Sequence, residues 1–215
     1  MEGSRGLGDV YKRQFYIQES KKDEFVNLFV EKTKKLKIGD GMDPSTQLGP
    51  LTTKKRLNEI EELVEKTQHE GAKVLLGGKR PAGFNKGFFY EPTVFDNVKD
   101  NFTIMKQEPF GPLVPMLSFK SFDEVIERAN NHELGLSSYI CTNSMEKAHK
   151  ASELMETGTV AVNTPLVAIA EAPFGGIKQA GYGREGGSMA IKDYLNVKYT
   201  HCLLYTSDAA DDGLC

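Results

Sequence analysis

Short apolar runs alternate with segments of helical period along most of this chain, and that alternation constrains the fold more than any other feature. In "SKKDEFVNLFVEKTKKL", Ser20 stands three residues before Asp23, the spacing that satisfies free donors at a helix N-terminus. Phe25, Leu28, Phe29 and Leu36 form the apolar stripe of that helix, and Gly39 is its expected stop. A second helix is expected from near Thr53, with Leu57, Ile60, Val64 and Thr67 at helical spacing until Gly71; "AKVLLGG" then reads as a strand closed by a glycine turn. "GFFYEPTVF" and Leu113 to Phe119 are further strands. Ser121 with Glu124 opens a helix that turns Phe122, Val125, Ile126 and Ala129 inward, and "LSSYICT" is the next strand. Ser144 caps a helix carrying Ala148, Ala151 and Leu154, which Gly158 ends before the strand "TVAVN". Strands alternating with helices imply an α/β layer fold.

Three stretches depart from the alternation. "QEPFGPLVPM", Gln107 to Met116, places the carboxylate of Glu108 before Pro109, Phe110, Gly111 and Pro112. Two prolines fix φ and remove two donors, while Gly111 permits a backbone angle or a close approach that a side chain forbids, so this loop is rigid and sits at a strand end. "TPLVAIAEAPFGGIKQAGYGREGG" is a long connection dense in glycine. Connections of that length are functional or disordered, and its apolar content favours function. The last stretch, "IKDYLNVKYTH", alternates from Tyr194 to Thr200 as a strand with no partner near it in sequence, the pattern of a strand that pairs elsewhere or on another subunit.

The two ends are of a different character. "SRGLGDVYKRQ" and "CLLYTSDAADD" closely resemble translated transposase adapter sequence from shotgun libraries, so residues 1–14 and 202–215 are set outside fold reasoning and 15–201 is taken as the native piece. Without the tails, basic and acidic residues nearly balance. That balance, and a basic cluster at Lys32, Lys34, Lys35 and Lys37 interleaved with acids, disfavour nucleic-acid binding. No run is long enough to cross a bilayer, which disfavours a membrane protein. Cys141, Cys202 and Cys215 lack metal-ligand spacing and their odd number argues against a disulfide framework, so a reducing, cytoplasmic setting is expected. The four histidines also lack metal-ligand spacing.

"EPFGP", Val162 with Asn163, and "APFGGIKQAGYGRE" together make the chain resemble the NAD(P)-dependent aldehyde dehydrogenase superfamily, over essentially all of Phe15 to His201. "APFGGIK" and "YLNVKY" are similar in wording to its succinate-semialdehyde dehydrogenase-like branch. The resemblance implies the three-layer α/β catalytic domain of that fold with a C-terminal oligomerisation strand, and a homodimer or homotetramer in the full-length protein. It implies a cysteine thiolate that attacks the aldehyde, hydride transfer to NAD or NADP, and thioester hydrolysis assisted by a glutamate base.

By the same resemblance Glu108 holds the hydroxyls of the nicotinamide ribose and Phe110 packs near the nicotinamide ring; on spacing alone, a salt-bridged loop carboxylate and a core phenylalanine stay open. Leu166, Ala168 and Phe174 match positions along the aldehyde tunnel. The succinate-semialdehyde branch often carries a serine where Ala168 stands, so a less polar aldehyde is expected. Gly175, Gly176, Lys178, Gly181 and Gly183 read as structural. The nucleophile and base are expected upstream of Phe15, with most of the cofactor domain, so this chain contains no catalytic residue and is expected to be inactive alone. Cys141, inside an apolar strand, reads as an inert packing thiol. Two alternatives stay open: a non-catalytic binding or assembly module, and an acylating enzyme that passes the thioester to coenzyme A.

Overall fold

The computed structural model describes residues 14–203; the adapter-like segments before Gln14 and after Leu203 lie outside the described residues. Four strands form the main sheet in the order β1-β4-β3-β2, where β1 is Phe15–Gln18, β2 Lys73–Leu76, β3 Thr93–Asp96 and β4 Leu113–Phe119. β4 runs parallel to both neighbours, with Phe15 opposite Met116 and Thr93 opposite Leu113, while β2 pairs antiparallel with β3. Alternate residues of a strand point to opposite faces. Leu113 and Leu117 accordingly enter one core with Leu57, Ile60 and Val64 of α2 (Lys54–His69), whereas Val114 and Met116 enter another with Ile17 and with Val26 of α1 (Lys22–Lys34). The sheet is thus the middle of three layers, as the resemblance implied.

α2 forms as its pattern predicts. The Thr53 hydroxyl accepts from Arg56 N at 3.1 Å, the Leu57, Ile60, Val64 and Thr67 stripe is buried, and Gly71 leaves the helix at φ +106. α1 differs from its expected form. A 3-10 turn over Glu19–Lys21 precedes it, so Ser20 caps nothing, and the helix ends at Lys34 rather than at Gly39. Its inward face is Val26, Phe29, Val30 and Thr33, leaving Phe25 partly exposed and Leu28 at 50%. Phe29 lies on both the expected and the observed face, so the stripe is rotated about it toward Val26, Val30 and Thr33, and Phe25 and Leu28 turn outward.

The strand in "GFFYEPTVF" is shorter than expected, because Gly87 sits at φ +89 and Pro92 lacks a donor; Phe89 and Tyr90 are buried but outside the ladder. A short helix, α3 (Thr103–Lys106), was not foreseen. Glu70 at the end of α2 organises its start, accepting from Thr103 N at 2.8 Å and from Thr103 Oγ1 at 2.6 Å. α4 (Phe122–Asn130) carries the expected cap, with Glu124 N donating to Ser121 Oγ and Lys120 N to Glu124 Oε2. The Phe122, Val125, Ile126 and Ala129 face is half-buried.

The rest of the chain builds two small sheets. β5 (Leu134–Gly135) pairs antiparallel with β8 (Ile177–Lys178), and β6 (Ser137–Ile140) pairs parallel with β7 (Thr159–Val162). Ser144 caps α5 (Met145–Leu154) between them. β6 stops before Cys141, which is exposed; the expected buried strand thiol is corrected, since the turn into α5 begins there. The alternation read from Tyr194 to Thr200 forms no ladder within the described residues: Tyr194 ends a 3-10 turn, and Leu195 to Thr200 are exposed.

Gly111 owes its place to close approach and not to φ: a Cβ there would lie 2.5 Å from Ile60 Cδ1, a fully buried atom of α2. Gly111→Ala is expected to cost about 1–3 kcal/mol by overpacking. In an Ile60→Val background, which removes Cδ1, the same change costs less, and a double-mutant cycle of denaturant midpoints reads the coupling.

Burial, and then Glu61, Glu65 and Glu91, push the Tyr90 phenol up to about 12. Because the folded value is raised, this contribution is whole below the unfolded phenol's range, about 10, and is lost as pH rises from there toward the folded value. Wild type should therefore lose more stability between about pH 9 and about pH 11 than Tyr90→Phe does, measured by urea unfolding.

Candidate functional site

The loop from Gln107 to Pro112 is held by its own backbone. Phe110 N donates to Glu108 O at 3.1 Å, Gly111 N to Pro109 O at 2.7 Å, and Leu113 N to Gly111 O at 2.9 Å. Pro112 O accepts from Thr93 N at 2.8 Å, tying the loop to β3. Pro109 is buried and anchors the turn between a half-buried Glu108 and an exposed Phe110. Glu108 is half-buried and engaged with the surrounding protein. Phe110 is 42% exposed, with the Arg56 guanidinium 5.2 Å from its ring centroid. That exposed ring is not core. Arg56, on the first turn of α2, carried no signal in the sequence that marked it.

The loop enters β4, so it lies at the amino edge of the parallel strands. Open α/β sheets more often place ligands at the opposite, carboxyl edge. β1 begins at the same amino edge, and Gln14 Nε2 donates to Met105 O at 3.0 Å, three residues before Glu108. At the carboxyl edge a shallow cavity of about 430 Å³ is lined by Lys22, Glu70, Asn97, Lys99 and Ser118. Two of its charged groups are engaged, Lys22 in an ion pair with Asp96 at 2.6 Å and Glu70 in hydrogen bonds from Thr103. It contains none of the candidate cofactor or substrate residues, Glu108, Phe110, Leu166, Ala168 and Phe174.

The long connection leaves β7 through Asn163, at φ +56, whose side chain takes Thr142 N at 3.0 Å and donates to Thr142 O at 2.9 Å. The asparagine of the Val162–Asn163 pair is thereby a clamp on the end of β6. Beyond it Leu166 is 70% exposed and Ala168 is exposed, forming an open apolar surface with Ile169. Phe174 is half-buried and exchanges both backbone hydrogen bonds with Glu185 at 2.7 Å. The glycines are packing elements: a Cβ on Gly158 would meet Gly175 O at 1.8 Å, and one on Gly175 would meet Gly183 O at 2.6 Å. Arg184 Nη1 closes the motif on Gly176 O at 2.9 Å.

Glu108 and Phe110 therefore share one loop, while Leu166, Ala168 and Phe174 share another segment, the connection between β7 and β8. Cys141 and Cys202 are exposed, and Cys215 lies outside the described residues. Among the described residues no cluster of three or more metal-ligating side chains occurs, and no helix is long and apolar enough to cross a membrane.

A carboxylate beside an outward-facing aromatic ring suits a nucleoside, whose ribose offers hydroxyl donors and whose base offers a flat face. Comparison with known proteins bears on the family of the chain as a whole. A family model described as "Aldehyde dehydrogenase family" matches residues 10–200. Retinal dehydrogenase 2 of Homo sapiens is 45% identical over 185 residues, which cover 86% of this chain and 35% of that protein. Aldehyde dehydrogenase, cytosolic 1 of Elephantulus edwardii is 43% identical over 195 residues, covering 91% and 38%. The chain thus spans little more than a third of the length of these relatives. The structure of an NAD+ complex of aldehyde dehydrogenase from Bacillus cereus superposes with a TM-score of 0.82 at 40% identity, over 85% of this chain and 37% of that one. Succinate-semialdehyde dehydrogenase from Burkholderia pseudomallei gives 0.81 at 36%, over 84% and 37%. With a match over nearly its whole described length, the chain belongs to the aldehyde dehydrogenase family.

Proposed function

We propose that this chain forms part of the catalytic domain of an enzyme that oxidises an aldehyde to a carboxylic acid with NAD+ or NADP+. The observation that carries the reading is the locked Glu108–Gly111 turn, which presents a carboxylate and an exposed ring at the edge where the chain enters β1. The Glu108 carboxylate accepts hydrogen bonds from the nicotinamide ribose hydroxyls. Phe110, braced from behind by Arg56, lies beside the nicotinamide ring. NAD(P)+ when bound supplies the hydride acceptor. The protein groups named here position rather than react, and their value lies in being held before the substrate arrives. The nucleophilic cysteine and the glutamate base belong, on this reading, to sequence upstream of Phe15, so the 215-residue chain alone is inactive. Hydrolysis of the thioester, rather than transfer to coenzyme A, is the outcome we favour on the motif wording.

Leu166, Ala168 and Phe174 line the aldehyde path and give it an apolar wall, with Ala168 offering no hydroxyl for a distal carboxylate. The relatives named for retinal support a preference for apolar aldehydes. The succinate-semialdehyde-like placement is supported by the motif wording and by the 36% identical structure; its fold and reaction fit, but its charged substrate suits this wall less well. The exposed Leu195 to Tyr199 segment, with Val197 at 99%, supports an assembly contact between subunits of a homodimer or homotetramer. A relative named as cytosolic supports a cytoplasmic setting.

The test is to recover the full-length parent gene and follow reduced cofactor formation. The parent is expected to turn over medium-chain neutral aldehydes with a higher kcat/KM than succinate semialdehyde, and the 215-residue chain to show none. Glu108→Gln in the parent should raise KM for NAD(P)+ roughly 10- to 100-fold, the worth of a hydrogen bond to a charged group. Selectivity for succinate semialdehyde would overturn the substrate reading. An unchanged cofactor KM in Glu108→Gln would overturn the role of Glu108.

A further inference from the structure

The Glu108 loop leads into the main sheet and the glycine-rich connection runs between strands of the two small ones, and their relative placement needs a physical link. His132, in the turn between α4 and β5, supplies one. Its Nδ1 accepts from Leu134 N at 3.1 Å, and its Nε2 lies 3.3 Å from Met105 O, across 27 residues of sequence. A carbonyl oxygen can only accept and a backbone N–H can only donate. The two contacts together therefore require a neutral imidazole with its proton on Nε2. A histidine that merely completed its own turn would need the Leu134 contact alone. The second contact reaches the last turn of α3, three residues before Glu108, at the same carbonyl that Gln14 Nε2 holds on the way into β1.

The backbone of the same residue faces the other way. Lys178 Nζ donates to His132 O at 3.1 Å and to Asn130 O at 2.8 Å, and its ammonium also pairs with Glu156. Lys178 lies inside the glycine-rich motif at φ +56, and its register partner across the β5–β8 ladder is Leu134. A left-handed lysine is conformationally costly and persists where surrounding contacts determine it. Ring and carbonyl of one residue thus join two segments, the approach to the Glu108 loop and the strand that ends the apolar connection, and Gln14 brings the entry to β1 to the same Met105 carbonyl.

We propose that His132 is a positioning residue, which sets the Glu108–Phe110 loop against the glycine-rich connection and so fixes the cofactor-ribose end of the site relative to the aldehyde path. The kinetic consequence rests on the reading of Glu108 given above; the mechanical link does not. Two amide substitutions separate the ring's contacts. His132→Asn keeps an acceptor for Leu134 N but cannot reach Met105, whereas His132→Gln keeps a donor within reach of Met105 O.

Hydrogen exchange of the 215-residue chain is the first measurement. In His132→Asn the Phe110 and Gly111 amides should exchange about three- to tenfold faster, the worth of one neutral hydrogen bond, with Leu134 still protected; in His132→Gln they should stay near wild type. In the parent enzyme His132→Asn should raise KM for NAD(P)+ by a similar factor, and His132→Gln should restore it. Unchanged Phe110 and Gly111 exchange in the Asn variant, or equal loss in both variants with a matching fall in Tm, would overturn the proposal. If the Asn variant does not fold, the imidazole nitrogen shifts of the wild-type chain decide: a single Nε2–H tautomer supports the link and an Nδ1–H tautomer refutes it. Changed exchange in a parent that oxidises no aldehyde would keep the link and remove the proposed function.

Discussion

Strand β4 is buried on both faces, and the rest of the structure is arranged by what that requires. Its seven residues must place apolar side chains alternately into two cores, and Leu113, Val114, Met116 and Leu117 do so. Burial of that kind stabilises by roughly 1.5–3 kcal/mol per large side chain. It also removes any freedom of register, since a slip of one residue would exchange the two faces. The segment entering such a strand inherits its rigidity. Pro109 is buried, Pro112 is tied to β3, and Gly111 lies against Ile60, so Glu108 and Phe110 are offered at a fixed place by elements that do no chemistry.

The sequence made legible what local periodicity and local capping decide. α2, β4 and α5 were readable because the stripe, the strand run and the serine or threonine caps all point to the same element. The misreadings have a common physical origin. At α1 the identity of the buried face depends on which sheet surface the helix meets, and Phe25 and Leu28 outweigh Val26 and Thr33 in any reading that counts apolar size. The shortening of "GFFYEPTVF" and the short α3 depend on Gly87, Pro92 and the distant Glu70, and only the first two are local. Cys141 looked buried because the strand before it is apolar, although the chain turns there toward α5.

The site was legible in a different way. Glu108 and Phe110 stood out by the prolines and glycine around them, and the structure gives that rigidity a geometry. Gly111 illustrates the limit, since its neighbours in sequence allowed either an unusual φ or a close approach, and only the position of Ile60 distinguishes them. Arg56 and His132 were invisible for the same reason. Arg56 reaches Phe110 from α2 and His132 reaches Met105, just before the loop, from the turn after α4, and neither spacing nor type announces a contact made across tens of residues.

The arrangement also explains why so much of this chain is devoted to support. The absence of a Cβ on Gly158 lets the Gly175 carbonyl approach, its absence on Gly175 lets the Gly183 carbonyl approach, Arg184 holds the Gly176 and Gly183 carbonyls, and Lys178 ties the motif to the Asn130 and His132 carbonyls. These contacts leave Leu166 and Ala168 on an open surface at the end of a well-braced connection. On the proposed reading these residues form an apolar wall, and such a wall is useful to a substrate only when its distance from the cofactor is fixed, because a misplacement of about an ångström can cost a hundredfold in rate. The backbone-to-backbone packing of glycines supplies stiffness within the connection, but it cannot set the distance to a loop on another sheet. On the proposed link, that task falls to side chains that bridge the segments, and a single imidazole, with Met105 O on one side and Lys178 on the other, then bears on the geometry of the proposed site.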